Sequence, residues 1–214
     1  MHHKKLRTLL VAGLLAVAGG LTAHDVSADE ARAAMLANTC AGCHGTNGVA
    51  AGHAMPSIAG MPAGFTKTMM QEFKGKKEGD KWVSERPSTI MARIARGYSD
   101  EEIELIAGFF AKQKWGSAEG NPNLTVAMAV DPAQAAKGAE LADKCEKCHE
   151  DKGRSTAEDM PRMAGQWLDY LMLRMESYKD PNVKMPMPKK MAQRVEKLSL
   201  DELKSLAHFY ASQK

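Results

Sequence analysis

The 214-residue chain has four cysteines, and all four fall in two copies of one pattern, Cys40-Ala41-Gly42-Cys43-His44 and Cys145-Glu146-Lys147-Cys148-His149. Thiols three residues apart lie about one helical turn from each other, so both can add to the two vinyl groups of a single heme. The histidine that follows brings an imidazole to the iron from one face. The two motifs therefore predict two covalently bound hemes c, one on Cys40 and Cys43 with His44 as axial ligand, the other on Cys145 and Cys148 with His149. Two C-x-x-C pairs could instead assemble a four-thiolate zinc site. Each pair here has its own histidine, proline and methionine, none of which a shared zinc explains. Disulfides, common in exported proteins, leave the histidines unexplained as well.

What such an iron does depends on its other axial ligand. A methionine closes the site and suits an electron carrier, whereas an open position permits ligand chemistry. Met55 and Met160 directly precede Pro56 and Pro161, prolines whose carbonyls are expected to orient the ligating imidazoles. That places them on the wrong side of the ring. Met70 and Met175 fall within a predicted helix and read as core. Met91 and Met191 each stand eight residues before a serine that opens the last helix of its half, Ser99 or Ser199. They are the predicted methionine ligands. In the second half Met185 and Met187, within Met185-Pro186-Met187-Pro188, are rivals to Met191. The remaining histidines outside the amino terminus, His53 and His208, read as solvated side chains.

The elements that must position these residues come in duplicate. An offset of 105 aligns the motifs and also Met55-Pro56-Ser57-Ile58-Ala59-Gly60 with Met160-Pro161-Arg162-Met163-Ala164-Gly165. After a gap of five residues an offset of 100 aligns Phe109-Phe110-Ala111 with Phe209-Tyr210-Ala211. Helices are predicted over 29–38 and 132–144, with Asp131 as N-cap and Pro132 at the first helical position. Middle helices are expected near 65–73 and 166–178. Each half closes with a helix opened by a capping box, Ser99-x-x-Glu102 or Ser199-x-x-Glu202. Its apolar residues recur on one face: Ile103, Ile106, Ala107 and Phe110, then Leu203, Leu206, Ala207 and Tyr210. No strand pattern is evident. The expected fold is all-α, two tandem domains of the class I cytochrome c kind related by an internal repeat. Their bounds are 29–114 and 131–214, with a linker over 115–130.

The amino terminus has the layout of a secretory signal, with Lys4, Lys5 and Arg7 ahead of an apolar run from Leu9 to Ala23. That run is too short to span a bilayer as a helix. Val26-Ser27-Ala28 offers small residues for cleavage, so residues 1–28 are expected to be removed after about Ala28 in a periplasmic protein without a membrane span. Formal charge is +3 for the whole chain and near +1 without that segment, which gives no nucleic-acid footprint. Aromatic residues make up 6% and methionines number 15, a composition in which flat cofactors would supply the missing apolar bulk.

Over its mature length the chain resembles the cytochrome subunit of flavocytochrome c sulfide dehydrogenase, and more distantly the diheme cytochromes of the c-four type. The resemblance rests on the heme motifs, on Ser88-Thr89-Ile90-Met91-Ala92-Arg93-Ile94-Ala95-Arg96-Gly97-Tyr98-Ser99, on Ala164-Gly165-Gln166-Trp167, and on Lys189-Lys190-Met191-Ala192. It implies a heterodimer with a flavoprotein subunit whose FAD oxidises sulfide. This chain would not be catalytic by itself. It would be the electron-transfer subunit of a sulfide:cytochrome c oxidoreductase, passing electrons to a soluble cytochrome c. The resemblance also implies two heme domains packed about a pseudo-twofold axis. Alternatives are a free-standing shuttle to a terminal oxidase, or a diheme peroxidase-type enzyme. A methionine candidate in both halves counts against the latter.

Overall fold

The computed structural model describes residues 27–116 and 128–213. Most of the expected signal segment (1–28) and most of the expected linker (115–130) lie outside these residues. Among the described residues each half contributes five α-helices, and the first adds a 3-10 turn at Thr46–Gly48. The first half has α1 (Ala28–Asn38), α2 (Ala41–His44), α3 (Ala63–Lys74), α4 (Thr89–Ala95) and α5 (Asp100–Ala111). The second has α6 (Pro132–Glu146), α7 (Glu150–Gly153), α8 (Leu168–Lys179), α9 (Lys189–Glu196) and α10 (Leu200–Ser212).

Local chemistry accounts for where these helices begin. Ser99 with Glu102 and Ser199 with Glu202 form complete capping boxes, and Ser27 with Glu30 forms another in the uncleaved chain, Ser27 lying within the expected signal segment. Asp131 accepts from the backbone N–H groups of Ala133 and Gln134 at 2.8 and 3.3 Å ahead of Pro132. Each such cap contributes about 1 kcal/mol by satisfying donors that the first turn leaves unpaired. The last helix of each half then lays its apolar face on the first. α5 packs on α1, burying Ile103, Ile106, Ala107 and Phe110, and α10 packs on α6, burying Leu203, Leu206, Ala207 and Tyr210. Phe110 and Tyr210 are each only 2% exposed, and burying rings of that size contributes roughly 2–3 kcal/mol apiece. At the α6–α10 crossing a Cβ on Gly138 would lie 2.1 Å from the Ser205 carbonyl oxygen, so the two backbones meet only because position 138 lacks a side chain.

Two features depart from the sequence expectation. A two-stranded antiparallel hairpin, β1 (Lys76–Glu78) and β2 (Lys81–Val83), follows α3, with Lys76 opposite Val83 and Glu78 opposite Lys81. It lies where the first half is five residues longer than the second. Both strands are exposed on every residue, so no alternation of apolar and polar side chains betrays them. Gly79, at φ +60, makes the turn. The second departure concerns the loop behind each heme motif. Gly45 follows His44 at φ +75, and a Cβ there would sit 1.8 Å from the Val49 carbonyl oxygen. Glu150 occupies that position in the second half. There the left-handed backbone moves on to Asp151, at φ +50, while Lys152 at φ +56 matches Asn47 at φ +55 in the first half.

The halves dock through the loops that follow the motifs. The Ser57 N–H donates to the Gln166 side-chain oxygen, and the Gln166 amide donates back to the Ser57 carbonyl, both at 2.9 Å. The Trp167 indole N–H reaches the Ala50 carbonyl at 3.2 Å, and Glu158 accepts from the Gly64 N–H at 2.8 Å. The Arg162 guanidinium stacks 4.9 Å above the Trp115 ring. Both Ser57 and Gln166 are buried, so each leaves an unsatisfied polar group if its partner is lost, a cost of about 1–3 kcal/mol.

Candidate functional site

Each heme motif straddles the end of one helix and a tight turn. In the first half Cys40 caps α2 and His44 ends it, and the His44 and Gly45 N–H groups close turns on the Cys40 and Ala41 carbonyls at 2.9 and 3.0 Å. Cys145 lies in the last turn of α6, and the Cys148 and His149 N–H groups return to its carbonyl at 3.1 and 3.0 Å. In both halves the first cysteine is partly buried and the second exposed, and none of the four is in a disulfide. Burial pushes the Cys40 and Cys145 thiols above their ordinary range. Among the described residues no three His, Cys, Asp or Glu side chains gather as a metal site, so the two cysteine pairs are not brought to a shared zinc.

His44 is 8% exposed, and its Nδ1 donates to the Pro56 carbonyl at 2.9 Å. A carbonyl can only accept, so the proton is on Nδ1 and the Nε2 lone pair is left for a metal. Burial also pushes the His44 and His149 pKa values below the usual imidazole range, the direction that favours the neutral ring a metal ligand needs. The expected bond between His149 and Pro161 is not made, however. His149 Nδ1 is buried with no hydrogen-bond partner. The backbone turn that closes the proline loop is the same in both halves. Ile58 and Ala59 donate to the Gly48 carbonyl at 2.7 and 3.1 Å, and Met163 and Ala164 donate to that of Gly153 at 2.8 and 3.0 Å. What differs is the turn after the histidine, where Glu150 stands in place of Gly45, and the residue after the proline, where Arg162 stands in place of Ser57.

Met91 and Met191 occupy the same helical place, third residue of α4 and of α9. Met91 packs with Phe73 and Tyr98 against Met70, Ala95 and Ile103. Tyr98 also packs on the cluster that holds Cys40, and its hydroxyl lies 2.6 Å from Thr39 Oγ1. In the second half Cys145, Met163, Met187 and Met191 all pack on one cluster around Leu171, Met175, Leu206 and Tyr210. Met175 and Met70 are buried, as core readings of them require. A cavity of about 680 Å³ opens beside Cys145, lined by Leu141, Lys144, Lys190, Arg194 and Leu198. It touches the cysteine but not His149, so it flanks the motif.

The solvated readings of His53 and His208 do not hold. His208 is 8% exposed, and its Nδ1 accepts from the Asp131 N–H at 3.0 Å, tying α10 to the start of α6. His53 Nδ1 pairs with Asp169 across the two halves at 2.8 Å. Neither residue has a histidine counterpart in the repeat, and side chains outside the repeat gave the sequence no pattern from which to place them. Gln166 and Trp167 were visible as part of a motif, but not as struts between the halves.

Residues 28–114 match the cytochrome c family model. The whole described architecture superposes on the crystal structure of reduced recombinant cytochrome c4 from Pseudomonas stutzeri with a TM-score of 0.69 at 23% identity, over 89% of this chain and 99% of that one. The fold is that of a two-domain cytochrome c. Among proteins of similar sequence, cytochrome c4 of Azotobacter vinelandii is 29% identical over 180 residues, covering 82% of this chain and 80% of that protein. The cytochrome subunit of sulfide dehydrogenase from Chlorobaculum tepidum is 41% identical over 81 residues, 38% of this chain and 66% of the relative. A thiosulfate dehydrogenase electron acceptor of Stutzerimonas stutzeri is 25% identical over 179 residues, covering 82% of this chain and 79% of that protein. These findings support two covalently bound hemes c and a role in electron transfer.

The residues present fit that cofactor. A buried and a half-buried imidazole, adjacent thiols free of disulfides and apolar clusters around both motifs are what a covalent heme requires. The heme iron supplies one-electron oxidation and reduction. Cys40, Cys43, Cys145 and Cys148 are the residues that would anchor the rings, the Pro56 carbonyl fixes the His44 tautomer, and helix side chains would wall each site. No helix among the described residues is long and apolar enough to cross a membrane.

Proposed function

We propose that the chain relays electrons from a sulfide-oxidising FAD flavoprotein to a soluble cytochrome acceptor in the periplasm, after cleavage of the amino-terminal signal. His44 with Met91 and His149 with Met191 are the axial pairs. The helical place shared by Met91 and Met191 favours Met191 over Met185 and Met187, whose repeat partners are Glu85 and Pro87.

The observation that carries the relay reading is a contrast between two equivalent faces. Around the second motif, Lys144, Lys147, Lys190, Arg194 and Lys197 are all exposed, and none takes part in an ion pair among the described residues. The repeat places Thr39, Gly42, Ile90, Ile94 and Gly97 at those five positions in the first half, all exposed and none charged. Ile90 and Ile94 are 65% and 39% exposed. An apolar face suits a lasting subunit contact. A basic face suits a partner that is steered in by its acidic surface and leaves again. The flavoprotein therefore belongs at the first heme and the acceptor at the second. The similarity to the sulfide dehydrogenase subunit supports the choice of partner.

A second reading, a free-standing diheme shuttle feeding a terminal oxidase, draws on the cytochrome c4 relatives, whose similarity spans both halves. Purification from the native source separates the two. Co-elution with FAD and heme reduction on addition of sulfide support the complex. A protein that elutes alone, free of flavin, and is reduced only by other cytochromes contradicts it.

A further inference from the structure

The docking of the two halves is nearly symmetric in position and unequal in chemistry. The repeat pairs Ser57 with Arg162 and Met61 with Gln166. Each loop offers a backbone N–H to a side chain of the other half. On one side the Ser57 N–H meets the Gln166 oxygen at 2.9 Å, with the return bond from the Gln166 amide to the Ser57 carbonyl also at 2.9 Å. On the other side the Arg162 N–H meets only the Met61 sulfur, at 3.4 Å. A thioether is a weak acceptor and cannot donate back.

This difference reaches the iron ligands in two steps. Ser57 follows Pro56, whose carbonyl holds His44 Nδ1. The Ser57 hydroxyl also accepts from the Ala50 N–H at 3.2 Å, and the neighbouring Trp167 indole binds the Ala50 carbonyl, so the second half fixes the loop at two points. Both Ser57 and Gln166 are almost fully buried, at 1% and 3% exposure. Water cannot replace the pair at little cost. The corresponding Pro161 carbonyl has no such brace beyond a sulfur, and His149 Nδ1 has no partner at all.

We propose that Gln166, although carried by the second half, is a positioning residue for the first heme: it holds the Pro56 carbonyl against His44 and so sets the basicity of that iron ligand. A hydrogen bond accepted from Nδ1–H makes the imidazole a stronger electron donor, which favours oxidised iron and lowers the potential. The first heme is accordingly the lower-potential one, and electrons run from first to second. The docked arrangement of the halves is part of the tuning. This inference rests on His44 as an axial ligand and is independent of which partner supplies the electrons.

The test uses the diheme holoprotein and heme-resolved potentials from spectroelectrochemistry combined with paramagnetic NMR of the heme methyl groups. Gln166→Leu should raise the potential of the first heme by roughly twofold to tenfold in its reduction equilibrium, tenfold being about 59 mV for one electron, and leave the second in place. Gln166→Glu, which keeps the acceptor for Ser57 N–H but loses the donor, should fall between. Met61→Gln, which installs the missing brace for Arg162, should lower the potential of the second heme alone. Because Met61→Gln adds a contact, it keeps the proposal testable if Gln166→Leu separates the halves. Equal shifts at both hemes, or no shift in either Gln166→Leu or Met61→Gln, would overturn the proposal. His44→Gly tests the ligand assignment separately, since it must turn the first heme high-spin whatever Gln166 does.

Discussion

Gly138 offers a sharp test of how the second heme motif is held. α6 carries Cys145 and crosses α10 at this glycine. A Cβ added there would meet the Ser205 carbonyl oxygen at 2.1 Å and Phe209 Cβ at 2.7 Å. An ordinary carbon–oxygen contact is about 3.3 Å, so the helices must part by about 1.2 Å, and the obstacle is backbone with no rotamer to yield. Overpacking of this kind costs about 1–3 kcal/mol, towards the upper end here because two contacts are violated. Removing a glycine from a helix interior returns about 0.5–1 kcal/mol. Gly138→Ala should therefore destabilise the second half by about 2 kcal/mol, or roughly 8–16 °C in Tm for a domain of this size. Hydrogen exchange read by mass spectrometry resolves the halves. Protection should fall over 132–146 and 200–212 and stay unchanged over 28–38 and 100–111. The repeat supplies a control, because the first half already has Ala33 at this position, so Ala33→Gly should cost only about 0.5–1 kcal/mol there. A Gly138→Ala protein with unchanged or greater protection over 132–146 would refute the packing argument.

Other consequences follow from the sites and the surface. Replacing Met191 or Met91 by alanine should abolish the near-infrared methionine charge-transfer band of that heme and lower its potential; loss of the second heme's band in Met187→Ala instead would move the ligand. Changing Lys190, Arg194 and Lys197 together to glutamine should slow reduction of an acidic acceptor severalfold at low ionic strength and flatten its salt dependence, whereas a rate insensitive to salt in the parent protein would remove the basic face from the account. His208 should make stability pH-dependent. Burial lowers its folded-state pKa, so the unfolded chain binds the extra proton first; stability is complete above the unfolded value of about 6.5 and declines as pH falls below it. Asparagine at 208 can still accept from the Asp131 N–H, so a urea midpoint measured at pH 7.5 and 5.5 should vary less in His208→Asn than in the parent.

What was legible in the sequence was whatever the repeat wrote twice. The motifs, the capping boxes at Ser99 and Ser199, and the helix faces ending in Phe110 and Tyr210 each appear in duplicate, and helical periodicity turned them into elements. The structure places the capping boxes and the helix faces as expected. The hairpin at Lys76–Val83 stayed hidden because it buries nothing and belongs to only one half. The asymmetries of the site were hidden for a related reason. That Glu150 replaces Gly45 is plain in the sequence, but where the left-handed residues then fall is not. The braces between the halves depend on pairs over a hundred residues apart, such as Ser57 and Gln166, which no local pattern connects. The one usable signal for Gln166 was a polar residue next to Gly165 where the other copy has Met61.

The central claim is a chain with two independent one-electron centres, each closed on both faces by a protein ligand. An anaerobic reductive titration of the mature holoprotein, followed by absorbance and repeated under carbon monoxide, tests it directly. The account predicts two electrons taken up per chain, in two steps, with both hemes low-spin and no carbon monoxide bound. Uptake of a single electron, or a high-spin fraction that binds carbon monoxide in the parent protein, would contradict it.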